Sequence, residues 1–171
     1  MTELALAAGS GDQVALFRLV RATQADVWRF CAHLAEPASA DDLTQEVYLR
    51  ALKALPSFRG DASARTWLLA IARRTVADHI RTLKRRRGVV ATGPPFPRPM
   101  AAADEQVVLR DVVAGLPPDR RMAFELTQVL GLSYAEAARV CDCPVGTIRS
   151  RVARARRDLI AALDLGGSVA Q

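Results

Sequence analysis

Apolar positions recur three and four residues apart along most of this chain, and no run of β-branched residues alternates with polar ones, so the pattern predicts helices throughout. Asp12 precedes a stretch in which Phe17, Val20, Val27, Cys31 and Leu34 share one side. That predicts a long helix capped by Asp12, with a break near Thr23. Ser39 followed by Asp42 makes a start resembling a capping box for a second helix. Its inward stripe is Leu43, Val47, Ala51 and Leu55, and Pro56 ends it. Ser63 opens a third, with Leu69, Ala72, Val76, Ile80 and Leu83 inward and Arg74, Asp78, Arg81 and Arg85 on a different face.

The pattern then stops. Residues 88–103 read GVVATGPPFPRPMAAA, four prolines and two glycines without a helical stripe, which predicts an extended, flexible linker. The expected organisation is all-α, with two small helical domains, 1–87 and 104–171, on either side of it. In the second, helices are expected from about Asp104 to Gly115 and from Pro118 to Leu130, the latter closed by Gly131 in a left-handed cap. Ser133-Tyr134-Ala135-Glu136 is a capping box for a short helix reaching Cys141. Asp142-Cys143 turns the chain and Pro144 starts a last helix. There Val145, Ile148, Val152, Leu159 and Leu163 point inward while Thr147, Ser150, Arg154 and Arg157 point out, flanked by Arg149 and Arg151.

Charge sharpens the picture. The 171 residues carry 24 Lys and Arg against 18 Asp and Glu, a net charge of +6, which favours a polyanionic partner. The signs are segregated. Four acids and no base lie between Glu36 and Glu46, whereas Arg73 to Arg87 holds seven bases against Asp78 alone. Residues 143–171 hold five Arg and two Asp. Each half thus has an acidic stretch followed by a basic helix, suited to two partners of opposite sign. Short apolar runs exclude a bilayer span, and the Met1-Thr2-Glu3-Leu4 start lacks the basic, apolar pattern of a signal peptide. With three cysteines, this favours the reducing cytoplasm over a disulfide scaffold.

A short helix, a tight turn and an Arg-studded second helix form the helix-turn-helix plan. Ala138 is small where the helices cross, and Ala137, Cys141, Cys143 and Ile148 are apolar where they pack. Arg149, Ser150, Arg151 and Arg154 then face a major groove, and Thr147 a backbone phosphate. Cys141 and Cys143 read as packing sites rather than metal ligands, because four ligands cannot be assembled around them. Cys31 and Trp28 read as core. Trp67 fits either packing or the support of a melted strand. His33 and His79 lack nucleophile and acid partners, so no catalytic residue is expected, and no glycine motif for a nucleotide cofactor or small-molecule substrate is present.

These segments resemble the extracytoplasmic-function (ECF) subfamily of sigma-70 type sigma factors. Ser133 to Ala138 followed by Pro144 to Arg156 is similar to the family's −35-reading region. Asp41-Asp42-Leu43-Thr44-Gln45-Glu46-Val47-Tyr48 resembles its core-binding segment. Phe58 to Asp61 with Thr66 to Arg73 resembles its −10-reading region. The resemblance implies that Asp41, Asp42, Leu43, Gln45 and Glu46 bind RNA polymerase core at the β′ clamp, with a further contact to the β flap. It implies that Phe58, Arg59, Gly60, Asp61, Ser63, Ala64, Arg65, Thr66 and Trp67 melt and capture the −10 element, while Arg73, Arg74, His79, Arg81 and Lys84 track its phosphates. Thr147, Arg149, Ser150, Arg151, Arg154 and Arg157 would read −35 DNA, and an anti-sigma factor would grip both lobes. Two positions depart from the family: Asp142 stands where glycine is frequent, and Arg74 where asparagine is. The 16-residue linker leaves no room for the middle domain of housekeeping sigma factors. Two competing classes remain. A free-standing helix-turn-helix regulator would bind duplex DNA without polymerase, and a nucleic-acid-processing enzyme would need a carboxylate cluster for metal.

Overall fold

The structure is a computed structural model that describes residues 1–35, 37–89 and 112–167. Most of the expected linker (90–103), the start of the helix expected from Asp104 and Glu36 lie outside the described residues.

The fold opens with a helix that the hydrophobic pattern did not announce, α1 (Thr2–Gly9). No side chain caps it; packing holds it. Ala5 is fully buried, and a Cβ on Gly9 would lie 2.6 Å from the Leu55 carbonyl oxygen, so only glycine permits this approach. Asp12 then caps α2 (Gln13–Leu34) as expected, its carboxylate accepting from the Val14 and Ala15 amides at 2.8 and 3.0 Å. The expected break at Thr23 is absent. Its hydroxyl bonds the Leu19 carbonyl at 2.7 Å and the Tyr48 hydroxyl at 2.8 Å, so the buried polar group is satisfied and the helix runs through. The inward face is Ala15, Leu19, Thr23, Val27, Phe30, Cys31 and Leu34. Phe17, expected inward, lies about a third of a turn from the centre of that face and is 63% exposed.

A 3₁₀ turn (Pro37–Ser39) leads into α3 (Ala40–Ala54). The Ser39 side chain makes no cap bond, so the expected capping box does not form there. Leu43, Val47 and Ala51 form the buried stripe, continued by Leu55 in the 3₁₀ turn Leu55–Ser57 that contains Pro56. The next helix, α4 (Ala64–Val89), starts with the Thr66 amide donating to Ser63 Oγ at 3.1 Å. Leu69, Ala72 and Val76 are buried and Ile80 and Leu83 half-buried. The helix reaches Val89, two residues into the expected linker. α2, α3 and α4 pack on one another, and α1 covers α2 and the Leu55–Ser57 turn.

The second lobe contains α5 (Pro118–Phe124), α6 (Tyr134–Cys141) and α7 (Val145–Gly167). The single helix expected to reach Leu130 instead widens into a π-helix over Glu125–Val129, closed by the Leu130 amide bonding the Glu125 carbonyl at 2.9 Å. Adjacent Glu125 and Leu126 are both buried in it. Gly131 takes φ +68° as expected. Ile148, Val152 and Leu159 point inward with Ala155, but Val145 and Leu163 are exposed, because neither faces another described element. Among the described residues the main core is shared by the lobes, and Leu116, Ala155 and Leu159 form a smaller cluster within the second. α6 lies against α4, and one apolar cluster runs from Ala5 through Leu69 and Val76 to Leu126, Ala137, Ile148 and Val152.

At α6 the capping box is complete: the Glu136 amide donates to Ser133 Oγ at 3.2 Å, and the Ser133 amide donates to Glu136 Oε2 at 2.9 Å. The Ser133 hydroxyl, donating to Glu136 Oε2 at 2.8 Å, and the Ser133 amide hold the Glu136 carboxyl below its ordinary value. A lowered folded-state pKa means stability present above the unfolded value and lost as pH falls through the folded one. Glu136→Gln keeps the capping pattern but loses the charge, and is expected to cost about 0.3–1 kcal/mol at neutral pH. In urea titrations the gap from the parent should close as pH drops below the ordinary glutamate range.

Candidate nucleic-acid interface

The basic surface of the second lobe begins with the turn that aims α7. Asp142 takes φ 53° and ψ 54°, and the Cys143 amide reaches back to the Ala138 carbonyl at 3.1 Å, closing α6. Aspartate therefore fills the left-handed position that its short polar side chain tolerates. Ala137 and Ala138 are buried beneath α7. Arg149, Ser150, Arg154 and Arg157 are exposed, and Thr147 is half-buried with its carbonyl accepting from Ser150 Oγ at 2.9 Å. Arg151 is not free. It is paired to Asp119 at 2.6 Å and sits 3.8 Å from Cys143 Sγ.

The first lobe carries the acidic surface on α3. Asp41, Asp42 and Gln45 are exposed, joined by exposed Leu49, one turn after Gln45, which the sequence pattern did not single out. Leu43 is buried, so its side chain serves the core and not this surface. Glu46 is half-exposed and tied to Arg50 at 2.7 Å; Arg50 also holds Asp78 of α4 at 2.8 Å. The Arg50 bond, with that from Arg81, keeps the Asp78 carboxyl below its ordinary value. Trp28, expected in the core, is 42% exposed and donates from its indole nitrogen to Asp41 at 2.8 Å. An exposed indole satisfies its N–H this way at a wet site.

The third surface lies at the start of α4. Phe58 and Trp67 pack with ring centroids 4.9 Å apart, so Trp67 is a half-buried partner in a tilted aromatic pair. Arg59 and Asp61 are exposed, and Gly60 sits at φ +80°. Ala64 and Thr66 are buried and pack; Ser63, half-buried, bonds Thr66 at 2.8 Å. Further along, Arg74, Arg81 and Lys84 are exposed, whereas Arg73 and His79 are half-buried. Arg65 is engaged across the molecule. It pairs with Asp26 at 2.6 Å and donates to the Leu130 carbonyl of the second lobe at 2.6 Å. A second tie links His33, at the end of α2, to the π-helix: His33 Nδ1 donates to Glu125 Oε2 at 2.7 Å. Glu125 is 3% exposed, and no spacing along the sequence flags this pairing of residues 92 apart.

Taken together, the geometry is that of a helical DNA-binding protein with a basic helix-turn-helix lobe and a mixed acidic and basic lobe. Residues 19–86 match the family model "Sigma-70 region 2" and residues 106–159 the model "Sigma-70, region 4". ECF RNA polymerase sigma factor SigC of Mycobacterium tuberculosis is 52% identical over 166 residues, covering 94% of this chain and 90% of the relative. ECF RNA polymerase sigma-E factor of Escherichia coli K12 is 36% identical over 163 residues, covering 85% of each. Among solved structures, sigma factor RpoE in complex with the anti-sigma factor NepR, from Bartonella quintana, superposes with a TM-score of 0.75 at 26% identity. It covers 87% of this chain and 96% of that one. This chain belongs to the ECF sigma factor family. Sigma factors are not enzymes, and no described helix is long and apolar enough to cross a membrane.

The inter-lobe ties have a measurable consequence. His33→Ala with Arg65→Ala removes the side chains of both polar bridges while sparing buried Glu125. Small-angle scattering should show a larger radius of gyration than the parent, with helical circular dichroism retained.

Proposed function

We propose that residues 1–87 bind RNA polymerase core and open the −10 element, that 88–103 link the lobes, and that 104–171 read the −35 element. The observation that carries this reading is the exposed face of Arg149, Ser150, Arg154 and Arg157 on α7, held by a helix-turn-helix whose turn and cap are both satisfied. A helix presented in this way offers guanidinium donors to base edges and phosphates in the major groove. Asp41, Asp42 and Gln45, with Leu49 beside them, would meet a basic surface on the β′ clamp, and the second lobe would meet the β flap. Around Trp67, the exposed Arg59 and Asp61 would flank a captured base, and Arg74, Arg81 and Lys84 would follow the phosphates. Arg65 would join them only after releasing Leu130. Trapping unstacked bases on the protein makes opening without nucleotide hydrolysis feasible, since unstacking costs about a few kcal/mol per step.

The likeness to RpoE bound to the anti-sigma factor NepR supports control of this chain by a protein of the same kind in the cytoplasm. A free-standing regulator is less well supported, because its family members act with polymerase and the acidic α3 face would have no role.

Run-off transcription with purified core polymerase and a promoter library tests the reading. Transcripts dependent on this chain should share two upstream elements; binding to duplex DNA without polymerase would instead favour the regulator. Arg149→Ala with Arg154→Ala should weaken use of the −35 element by about 1–3 kcal/mol for each bidentate arginine–base pairing removed. Asp41→Lys with Asp42→Lys should lower core affinity in a fluorescence titration and leave the far-ultraviolet spectrum unchanged.

A further inference from the structure

The helix-turn-helix holds a pair of thiols that promoter reading does not use. Cys141 ends α6 and Cys143 follows the left-handed Asp142, and both side chains belong to the same apolar cluster. Their surroundings differ. Cys141 is buried, and burial pushes its thiol up to about 11 despite the nearby Arg73 and Arg151 guanidinia. Cys143 is half-buried, with the Arg151 guanidinium, itself paired to Asp119, 3.8 Å from its sulfur. An accessible thiol beside a cation with a second thiol two residues away is the arrangement of an attacking and a resolving cysteine.

We propose that Cys143 and Cys141 form a peroxide-responsive dithiol site that switches the −35-reading helix. The Cys143 thiolate attacks hydrogen peroxide: an S–O bond forms, the O–O bond breaks, and the departing hydroxide takes a proton from solvent. The Cys141 sulfur then displaces the sulfenic oxygen. An S–S bond forms, the S–O bond breaks, and that oxygen leaves as water with the Cys141 proton. Overall two thiols and one peroxide give one disulfide and two waters. A bridge across so short a loop is strained, hence readily reduced by cellular thiols. Forming it takes the Cys143 sulfur away from Arg151 and pulls on a turn fixed by the Cys143-to-Ala138 and Asp142-to-Arg139 backbone bonds. That turn sets the direction of α7. Cys31, fully buried with its thiol also pushed up to about 11 by burial, is the internal control.

The role in promoter use rests on the −35 reading of α7, but the thiol chemistry is read without DNA. The full chain is treated with hydrogen peroxide, alkylated and mapped by peptide mass spectrometry. Cys141 and Cys143 should lose reactivity together in the monomer, recover with dithiothreitol and leave Cys31 free. With the promoter selected from the library, transcription should fall about tenfold on oxidation, the scale of removing one side-chain bond to a base. A Cys143→Ser variant should start at the reduced parent's activity and not respond. Oxidation confined to Cys31, disulfide-linked dimers, Cys143 over-oxidised with Cys141 still free, or a bridge that leaves transcription unchanged would each overturn the proposal. Failure of the reduced protein to support transcription would instead count against the sigma reading.

Discussion

The close approach of α6 to α4 is the constraint on which the arrangement of the lobes depends. The contact is apolar, and Ala137, Ala138, Val140 and Cys141 are the buried residues of α6. The apolar cluster then continues from one lobe into the other, so burial works on both at once. Burial alone would let the lobes slide. The polar ties do not: Arg65 must find both Asp26 and the Leu130 carbonyl, and buried Glu125 must find His33. A carboxylate taken out of water without a partner is costly by several kcal/mol, so the His33 contact selects one placement among many that are equally apolar.

Charge pairing also separates the working surfaces. Arg50 sits between Glu46 of α3 and Asp78 of α4, and Arg81 also holds Asp78. This bridge neutralises the ground between the acids of α3 and the bases of α4. Asp41 and Asp42 on α3 and Arg74 and Lys84 on α4 take no part in it, and all of them are exposed. A single lobe can therefore present opposite signs to two partners without drawing them together. In the second lobe Arg151 is similarly withdrawn by Asp119, which leaves Arg149, Arg154 and Arg157 as the exposed cations among the residues expected to read −35 DNA.

What could be read from the sequence was what is decided locally. The Asp12 cap, the α3 stripe, the Ser133–Glu136 box, the left-handed Gly131 and Asp142, and the exposed arginines of α7 all depend on neighbours within a turn or two. Distant partners decided the rest. α1 lacks a cap and exists because Gly9 can touch Leu55. α2 passes Thr23 unbroken because Tyr48 helps satisfy the hydroxyl. Trp28 turned outward to Asp41, and Ala64 and Thr66 turned inward, through packing between helices that no spacing within one segment records. The family resemblance singled out three sets of residues, but it could not say that Arg65 and Arg151 are already engaged.

The π-helix at Glu125–Val129 holds one more residue than an α-helical turn of the same reach. Deleting a single residue there would leave a regular helix of better local geometry. The helix on either side would keep its facing, since the extra residue is taken up within one wider turn. If the residue removed were Glu125 the tie to His33 would go with it, and if it were Leu126 a core side chain would be lost. Those two residues are thus intolerant of deletion although the backbone around them would welcome one. Homologous chains with this bulge should align without gaps from Pro118 to Ser133.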